Sequence, residues 1–529
     1  MSRQNRLLRV SIDGTSSSEV EPGPVTQRSI TPSILSEPSY QRPNSSSSEE
    51  SSSPILYEDG SIRVERLLSK VAITLVPSFL QRYIGAPPQE PKKLHAIAAL
   101  DGLRGWACLL VFNFHFLFTY TWKVAEGWGF ANDNWGIHQL PIIHMLISGH
   151  IMVAIFFVIS GYVITQKPLR TIRSKSWERS LVVLSSSTFR RALRLYIPSL
   201  TGIFLVFVAV RLGCYNYSHR VLKSGTTILG TNEQHPPVMR TFRAQFWDWY
   251  YTVIHLMDPF SWGLYYNNYN PHLWTIPVEF RSSLVLFTTT LATARLRTKV
   301  RIGLIIFLIW FCTRVDRWDV VLFLCGMLMS EIDIITGLWD SPSLEEKPRS
   351  QGVLSDFMRQ HGRSFWIAMF ILGLYIGSSP NQGVKWTPGY GWLAQLTPRT
   401  YNEPHRFPQT IGAVIIVCSI NRSKDVQKLF TNSVSQYLGK ISFAFYIVHG
   451  PILHSLGYSI MPSIWRFTGK DTNLQYCTGF LIGWMTCFPI ALWAGDLFWR
   501  LVDIPSVNFA HWVEKRLLDE SRAPSSMRS

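Results

Sequence analysis

Hydrophobic positions gather into ten long runs separated by polar stretches: 99–121, 144–165, 196–212, 274–294, 300–314, 318–335, 363–379, 408–421, 438–458 and 476–499. A bilayer core of about 30 Å takes about 20 residues of helix, so these runs predict membrane spans. Two of them, 300–314 and 408–421, are short, which leaves a count of about eight to eleven. Ahead of the runs, Val64, Leu67, Leu68, Val71, Leu75 and Leu80 recur at helical spacing, interrupted by Pro77 and several charges. That pattern predicts a helix lying on the membrane surface. The first 60 residues contain 16 serines, several prolines and the acidic run Ser45–Ser53. Such a segment cannot bury a core and is expected to be disordered, either a solvated tether or a tail regulated by phosphorylation. The start, MSRQNRLLRVSIDG, lacks an apolar stretch long enough for a secretory signal. The expected fold class is all-α: a polytopic membrane protein of about ten transmembrane helices with a disordered cytosolic N-terminal tail. The expected divisions are tail 1–65, interfacial segment 66–95, membrane domain 96–506 and cytosolic tail 507–529.

Charge sets the orientation. The chain carries 51 Lys and Arg against 34 Asp and Glu, a net +17. A soluble protein this basic would point to nucleic acid. Here only 16% of the 529 residues are charged, well under the ordinary share of about 25%, and the basic ones cluster between apolar runs. They therefore face the cytosol and anionic headgroups, and no nucleic-acid partner is expected. With a cytosolic N-terminus, the stretch after the second run carries Lys167, Arg170, Arg173, Lys175, Arg179, Arg190, Arg191 and Arg194 inside. The turn after the fourth carries Arg295, Arg297, Lys299 and Arg301. The loop after the first run has only Lys123 and falls outside. Both termini are then cytosolic, and the long loop 213–272, aromatic from Trp247 to Tyr269, lies outside as an interfacial lid or cap. The seven cysteines show no CxxC spacing and lie mostly in apolar runs, which argues against a disulfide or zinc framework.

Ionisable groups at membrane depth are costly and are the first functional candidates. Arg104 and His115 share the first run, eleven residues and about 16 Å of helix apart. Alternating span directions put His115, His150, Glu279 and His449 at similar depth in the outer half. A buried imidazole beside a carboxylate suits removal of a proton from an alcohol as it attacks a thioester. Each has a structural alternative: His150 and His449 as helix-bridging hydrogen bonders, and Glu279 as a partner of Arg281. On the cytosolic side, Arg190 and Arg194 share a helix face beside Arg191. With Arg104 they could hold the phosphates of a nucleotide-like donor, or simply enforce topology.

These residues resemble the membrane-bound acyltransferase family 3, the multi-spanning O-acyltransferases. The resemblance covers about 96–506. LDGLRGWACLLVFNFH resembles the family's opening, with a basic residue, ten others, then histidine at Arg104 and His115. FFVISGYVIT (156–165) resembles its second-span signature, with Tyr162 where Phe is usual. FRRALRLYIP resembles its arginine motif. LWTIPVEF resembles its Trp-Ser-Leu-x-x-Glu block, with Thr275 for Ser and Pro277 added. ISFAFYIVHGP and VDIPS resemble its late Tyr/His block and closing acidic-x-Pro. The Ser-rich tail and long outer loop look most like fungal members, which act on secondary metabolites and other hydroxylated small molecules.

The resemblance implies an O-acyltransferase with His115 as catalytic base and Glu279 beside it. It implies Arg104 with Arg190, Arg191 and Arg194 toward acyl-CoA, and His150 and His449 toward the acceptor. No metal or permanently bound cofactor is expected; acyl-CoA, with acetyl-CoA the first candidate, is the co-substrate. The expected partners are a hydroxylated small molecule and membrane lipids. The expected location is the endoplasmic reticulum or another endomembrane, with the plasma membrane as the alternative. A proton-coupled transporter would use the same His and Glu groups, but no internal repeat links the two halves. A receptor or scaffold, and the membrane O-acyltransferases that pair His with Asn, are further alternatives. The Arg104–His115 spacing favours the first family.

Overall fold

A computed structural model describes residues 72–518 apart from 82, 84–93, 96, 132–133, 226, 231–232 and 339–352, with backbone alone at 353–361. The tail 1–65, most of the segment 66–95 and the chain after 518 lie outside the described residues. The described residues form helices and no β-strand; an isolated bridge joins Glu126 and Gln382. The main helices are α1 (Ala98–Phe118), α2 (Gly149–Arg173), α3 (Trp177–Arg211), α4 (Phe242–Met257), α5 (Thr275–Thr293), α6 (Thr298–Arg314), α7 (Trp318–Thr336), α8 (Val353–Gly377), α9 (Arg406–Arg422), α10 (Ser433–Ile452), α11 (Asn473–Phe498) and α12 (Ile504–Leu517).

Every apolar run falls on one of these helices. Three helical stretches among the described residues are long and apolar enough to cross a bilayer: Gly149–Arg173, Trp177–Arg211 and Asn473–Leu517. The helices also outrun the apolar runs. The basic stretch after the second run is not a loop, because α2 and α3 continue into it and leave only Ser174–Ser176 as the turn. Arg190, Arg191 and Arg194 consequently sit on α3. Within the expected surface helix, residues 72–75 and 78–81 form two short helical turns around Pro77. They dock on α11, where Asp496 accepts from the backbone N–H of Ser78 at 2.9 Å.

Small residues set the closest helix pairs. A Cβ on Gly105 would lie 2.4 Å from the backbone nitrogen of Gly439, so α1 and α10 touch backbone to backbone. A Cβ on Gly161 would lie 2.3 Å from the Phe323 carbonyl, which does the same for α2 and α7. Without water to drive helices together in lipid, such close approach is how they gain dispersion contact. The α1–α10 contact matters most here, because α1 carries Arg104 and His115 while α10 carries Ser442, Tyr446 and His449.

Candidate functional site

Two polar clusters lie along the α1–α10 pair. The first is a set of imidazoles around one carboxylate. His115 Nδ1 lies 2.8 Å from Glu233 Oε1. His454 Nε2 lies 2.9 Å from Glu233 Oε2, and His272 Nε2 lies 3.4 Å from the same oxygen. The rings of His115 and His272 are 3.8 Å apart, those of His272 and His449 are 4.7 Å apart, and those of His115 and His449 are 5.6 Å apart. Glu233 lies on the loop between α3 and α4. Burial pushes its carboxyl up, but the neighbouring His272 and His115 imidazoles hold it well below the usual carboxylate range. It faces them as an anion.

Local sequence explains how these groups meet. Pro451 denies α10 a backbone donor near its end, and Leu453–Gly457 widens into a π-turn that carries His454. Such turns recur at functional sites because they re-aim side chains. Pro271 starts the 3-10 turn Pro271–Trp274 ahead of α5. Asn267 and Asn270 brace that turn through reciprocal bonds of 2.7 Å. The Asn270 amide donates to the Ile447 carbonyl at 2.8 Å, tying the turn to α10. Gly450 makes room for it: a Cβ there would lie 2.2 Å from His272 Nδ1.

The second cluster is basic. A cavity of about 300 Å³ is lined by Arg104, Arg191, Arg194, Glu279, Ser442 and Tyr446 among others. Arg104 donates to Ser442 Oγ and Asp101 Oδ1, each at 3.0 Å. Arg191 donates to Glu279 Oε1 at 2.6 Å and to Ser283 Oγ at 3.1 Å, and the Ser160 hydroxyl donates to the same Glu279 oxygen at 2.7 Å. Tyr446 stands between the clusters. Its hydroxyl donates to the His272 carbonyl and accepts from Thr275 Oγ1, while its own carbonyl accepts from His449 Nδ1 at 2.7 Å.

His115 and His449 meet, as the sequence suggested. His150 and Glu279 do not join them. His150 Nδ1 bonds the Asn381 amide at 2.7 Å, its ring lies 5.1 Å from that of His405, and Phe114 packs edge-on against both its ring and that of His115. Glu279 faces Arg191 in the cavity instead. The 3-10 turn Pro271–Trp274 precedes the fourth run, sharing only Trp274 with it, and it brings His272 to the cluster where Glu279 was expected. Arg281 pairs with Asp319 at 3.2 Å rather than with Glu279. Arg190 points away from the cavity lining, to Glu514 at 3.2 Å and His511 at 2.8 Å. Sequence reasoning missed Glu233, His272 and His454, and met Tyr446 only as the tyrosine of the Tyr/His block ISFAFYIVHGP. His272 gave one signal, an imidazole at the mouth of a run; Glu233 gave none.

Comparison with known proteins supplies the identity. The family described as acyltransferase domain matches residues 97–500. The chain is 31% identical over 465 residues to the O-acetyltransferase PaAT-1 of Phomopsis amygdali, covering 85% of this chain and 90% of that protein. It is 26% identical over 456 residues to the acyltransferase clz18 of Cochliobolus lunatus, covering 78% and 95%. A putative O-acetyltransferase of Staphylococcus aureus (strain COL), SACOL0978, is 23% identical over 380 residues, 68% of this chain and 51% of that protein. No solved structure matches the chain. With its helical fold and bilayer-length apolar helices, the chain belongs to the membrane-associated acyltransferase family 3 and is an O-acyltransferase.

Proposed function

We propose that the protein moves a short acyl group, acetyl first among candidates, from acyl-CoA to a hydroxyl of a small molecule such as a secondary metabolite. The carrying observation is the 2.8 Å contact between His115 Nδ1 and Glu233 Oε1. An anionic acceptor on Nδ1 fixes the proton there and leaves Nε2 as the basic nitrogen. His115 Nε2 takes the acceptor O–H proton as that oxygen attacks the thioester carbonyl. The C–S bond then breaks, and the proton is returned to the departing CoA thiolate. The products are the ester and free CoA.

Arg104, Arg191 and Arg194 line the cavity suited to the donor's phosphates, and guanidinium groups bind phosphate through paired donors. Glu279 holds the Arg191 fork in place from inside the same cavity. Tyr446 lines that cavity and bonds the His272 carbonyl, so in this reading the thioester end lies at Tyr446, toward His115, with the nucleotide among the arginines. His449 belongs to the acceptor side; His150 lies one aromatic ring further out and orients Asn381. About ten spans, cytosolic termini and an outer loop 213–272 complete the reading, in the endoplasmic reticulum or another endomembrane.

The test compares metabolites from a strain lacking the protein with those from a strain expressing it, alongside acyl-CoA turnover by the purified protein. A product heavier by one acyl group names acceptor and acyl together. Purified protein that binds acyl-CoA but never turns it over, with any extract supplied as acceptor, sinks the reading.

A further inference from the structure

We propose that His115, His272 and His449 form a three-histidine site for a divalent transition-metal ion such as Zn²⁺, and that the bound ion inhibits transfer. The inhibitory half rests on His115 being the base.

The argument starts from the outer nitrogens. His449 Nδ1 faces the Tyr446 carbonyl at 2.7 Å, and a carbonyl only accepts, so this nitrogen carries the proton. His272 Nδ1 faces Asn270 Oδ1 at 3.2 Å. The Asn270 amide nitrogen is committed to the Ile447 carbonyl, which fixes that oxygen as the acceptor. His115 Nδ1 faces the Glu233 carboxylate. Three imidazoles are therefore held with the proton on Nδ1, which makes Nε2 the nitrogen that can ligate. In His449 that Nε2 is buried without a hydrogen-bond partner, and in His272 its polar neighbour is the Glu233 carboxylate at 3.4 Å.

Buried unpartnered acceptors cost free energy. Among the described residues, His115, His272 and His449 can each offer a ligand atom within 4.8 Å of the other two. Imidazoles on one tetrahedral ion at about 2.0–2.1 Å have ring centres about 5 Å apart; here the separations are 3.8, 4.7 and 5.6 Å. Modest ring rotations would close the set. Each Nδ1 already has the oxygen acceptor that metal-bound histidines use to fix their tautomer. Imidazole ligands suit zinc, copper, iron and nickel rather than magnesium or calcium. The Glu233 anion offsets part of the ion's charge. His115 is 19% exposed, so the ion has a way in.

A second combination, Glu233 with His272 and His454, also comes within reach. It is the poorer site, because the Glu233 oxygens already serve His115 and His454, and His454 Nδ1 has no acceptor to hold it. An ion on His115 Nε2 occupies the lone pair that base catalysis needs, so binding and transfer exclude each other.

The experiment titrates purified, chelator-treated protein with Co²⁺ and reads the visible bands of a four-coordinate ion. The expected result is one ion per chain, displaced by Zn²⁺, with transfer blocked while the ion is bound and restored by chelator. His115→Gln, His272→Gln and His449→Gln should each lose the spectrum. Asn270→Ala removes both the acceptor for His272 and the amide bond to the Ile447 carbonyl and should weaken binding by about 10- to 100-fold, whereas Asn270→Asp, which loses that amide bond but keeps the acceptor, should weaken it less. Variants are scored only where size-exclusion profiles match the parent. No four-coordinate spectrum, or one that survives in all three glutamine variants, overturns the site. A spectrum lost in those variants with transfer indifferent to the ion keeps the site and overturns His115 as the base.

Discussion

His115 and Glu233 are 118 positions apart in the chain and 2.8 Å apart in space. One lies on the first long helix and the other on a loop two helices later, so the fold and not the local sequence makes the pair. Its chemistry is testable by separating charge from hydrogen bonding. General-base catalysis contributes about 100- to 10,000-fold, which corresponds to about 3–5 kcal/mol of transition-state stabilisation. His115→Gln should lose that whole amount in kcat/KM, since Gln cannot accept and release the proton. Glu233→Gln keeps an oxygen for Nδ1 but removes the charge, and should lose less. Glu233→Gln at the parental rate would leave the Glu233 charge with no part in the reaction. His150→Gln is the control: its bond runs to Asn381, and transfer should stay within a few-fold of the parent, about 1 kcal/mol.

The cavity makes a prediction about the donor. Arg104→Ala should raise KM for acyl-CoA, and Arg104→Lys should recover part of the loss, because Lys keeps the charge but not the planar fork. Arg191 and Glu279 are bonded at 2.6 Å inside the same cavity. Their single alanine variants should therefore not add: a double-mutant cycle on KM should give a coupling of about 0.5–3 kcal/mol. Strict additivity would show that Glu279 works independently of Arg191. Arg190→Ala should leave KM unchanged, since Arg190 turns to Glu514.

Much of this was legible in the sequence. Long apolar runs need no tertiary context to be read, and every one of them lies on a helix. Arg104 and His115 stood out because an ionisable group in an apolar run is expensive. Glu233 and His272 did not, because both lie in connecting segments, where polar residues are ordinary. Depth was misjudged at Glu279 for a related reason. Hydropathy marks where apolar residues begin, but the 3-10 turn Pro271–Trp274 and the 35-residue α3 set the real register of each side chain. No pattern of spacing could foresee that Arg191 would reach Glu279.

Topology can be checked directly. With the basic ends of α2 and α3 inside, the loop 213–272 lies outside. Gly225 is the place to insert a protease site. It sits at φ 64°, and a Cβ there would meet nothing within 4 Å, so an insertion disturbs little. The neighbouring stretch around Glu233 is unsuitable because it enters the imidazole cluster. In sealed microsomes an insert after Gly225 should resist added protease until detergent is present. Cleavage in intact vesicles reverses the orientation.

Gly450 offers a test of the site that leaves every ionisable group untouched. A Cβ on Gly450 would lie 2.2 Å from His272 Nδ1, 2.7 Å from its Cε1 and 3.1 Å from Asn270 Oδ1. Neither neighbour can yield easily. His272 is pinned between Asn270 and Glu233, and Asn270 is pinned to the Ile447 carbonyl. Gly450→Ala should therefore push the 3-10 turn away from α10, at an overpacking cost of about 1–3 kcal/mol. A helix interior ordinarily favours Ala over Gly by about 0.8–1.0 kcal/mol, so the sign of the stability change is itself informative. Gly303, in α6, has nothing within 4 Å of an added Cβ, and Gly303→Ala should raise the melting temperature slightly. Gly450→Ala should lower it and cut acyl transfer by more than the stability loss explains, with KM for acyl-CoA near the parental value because the arginine cavity is undisturbed. If Gly450→Ala is as stable and as active as the parent, the close packing of His272 on α10 has no functional weight.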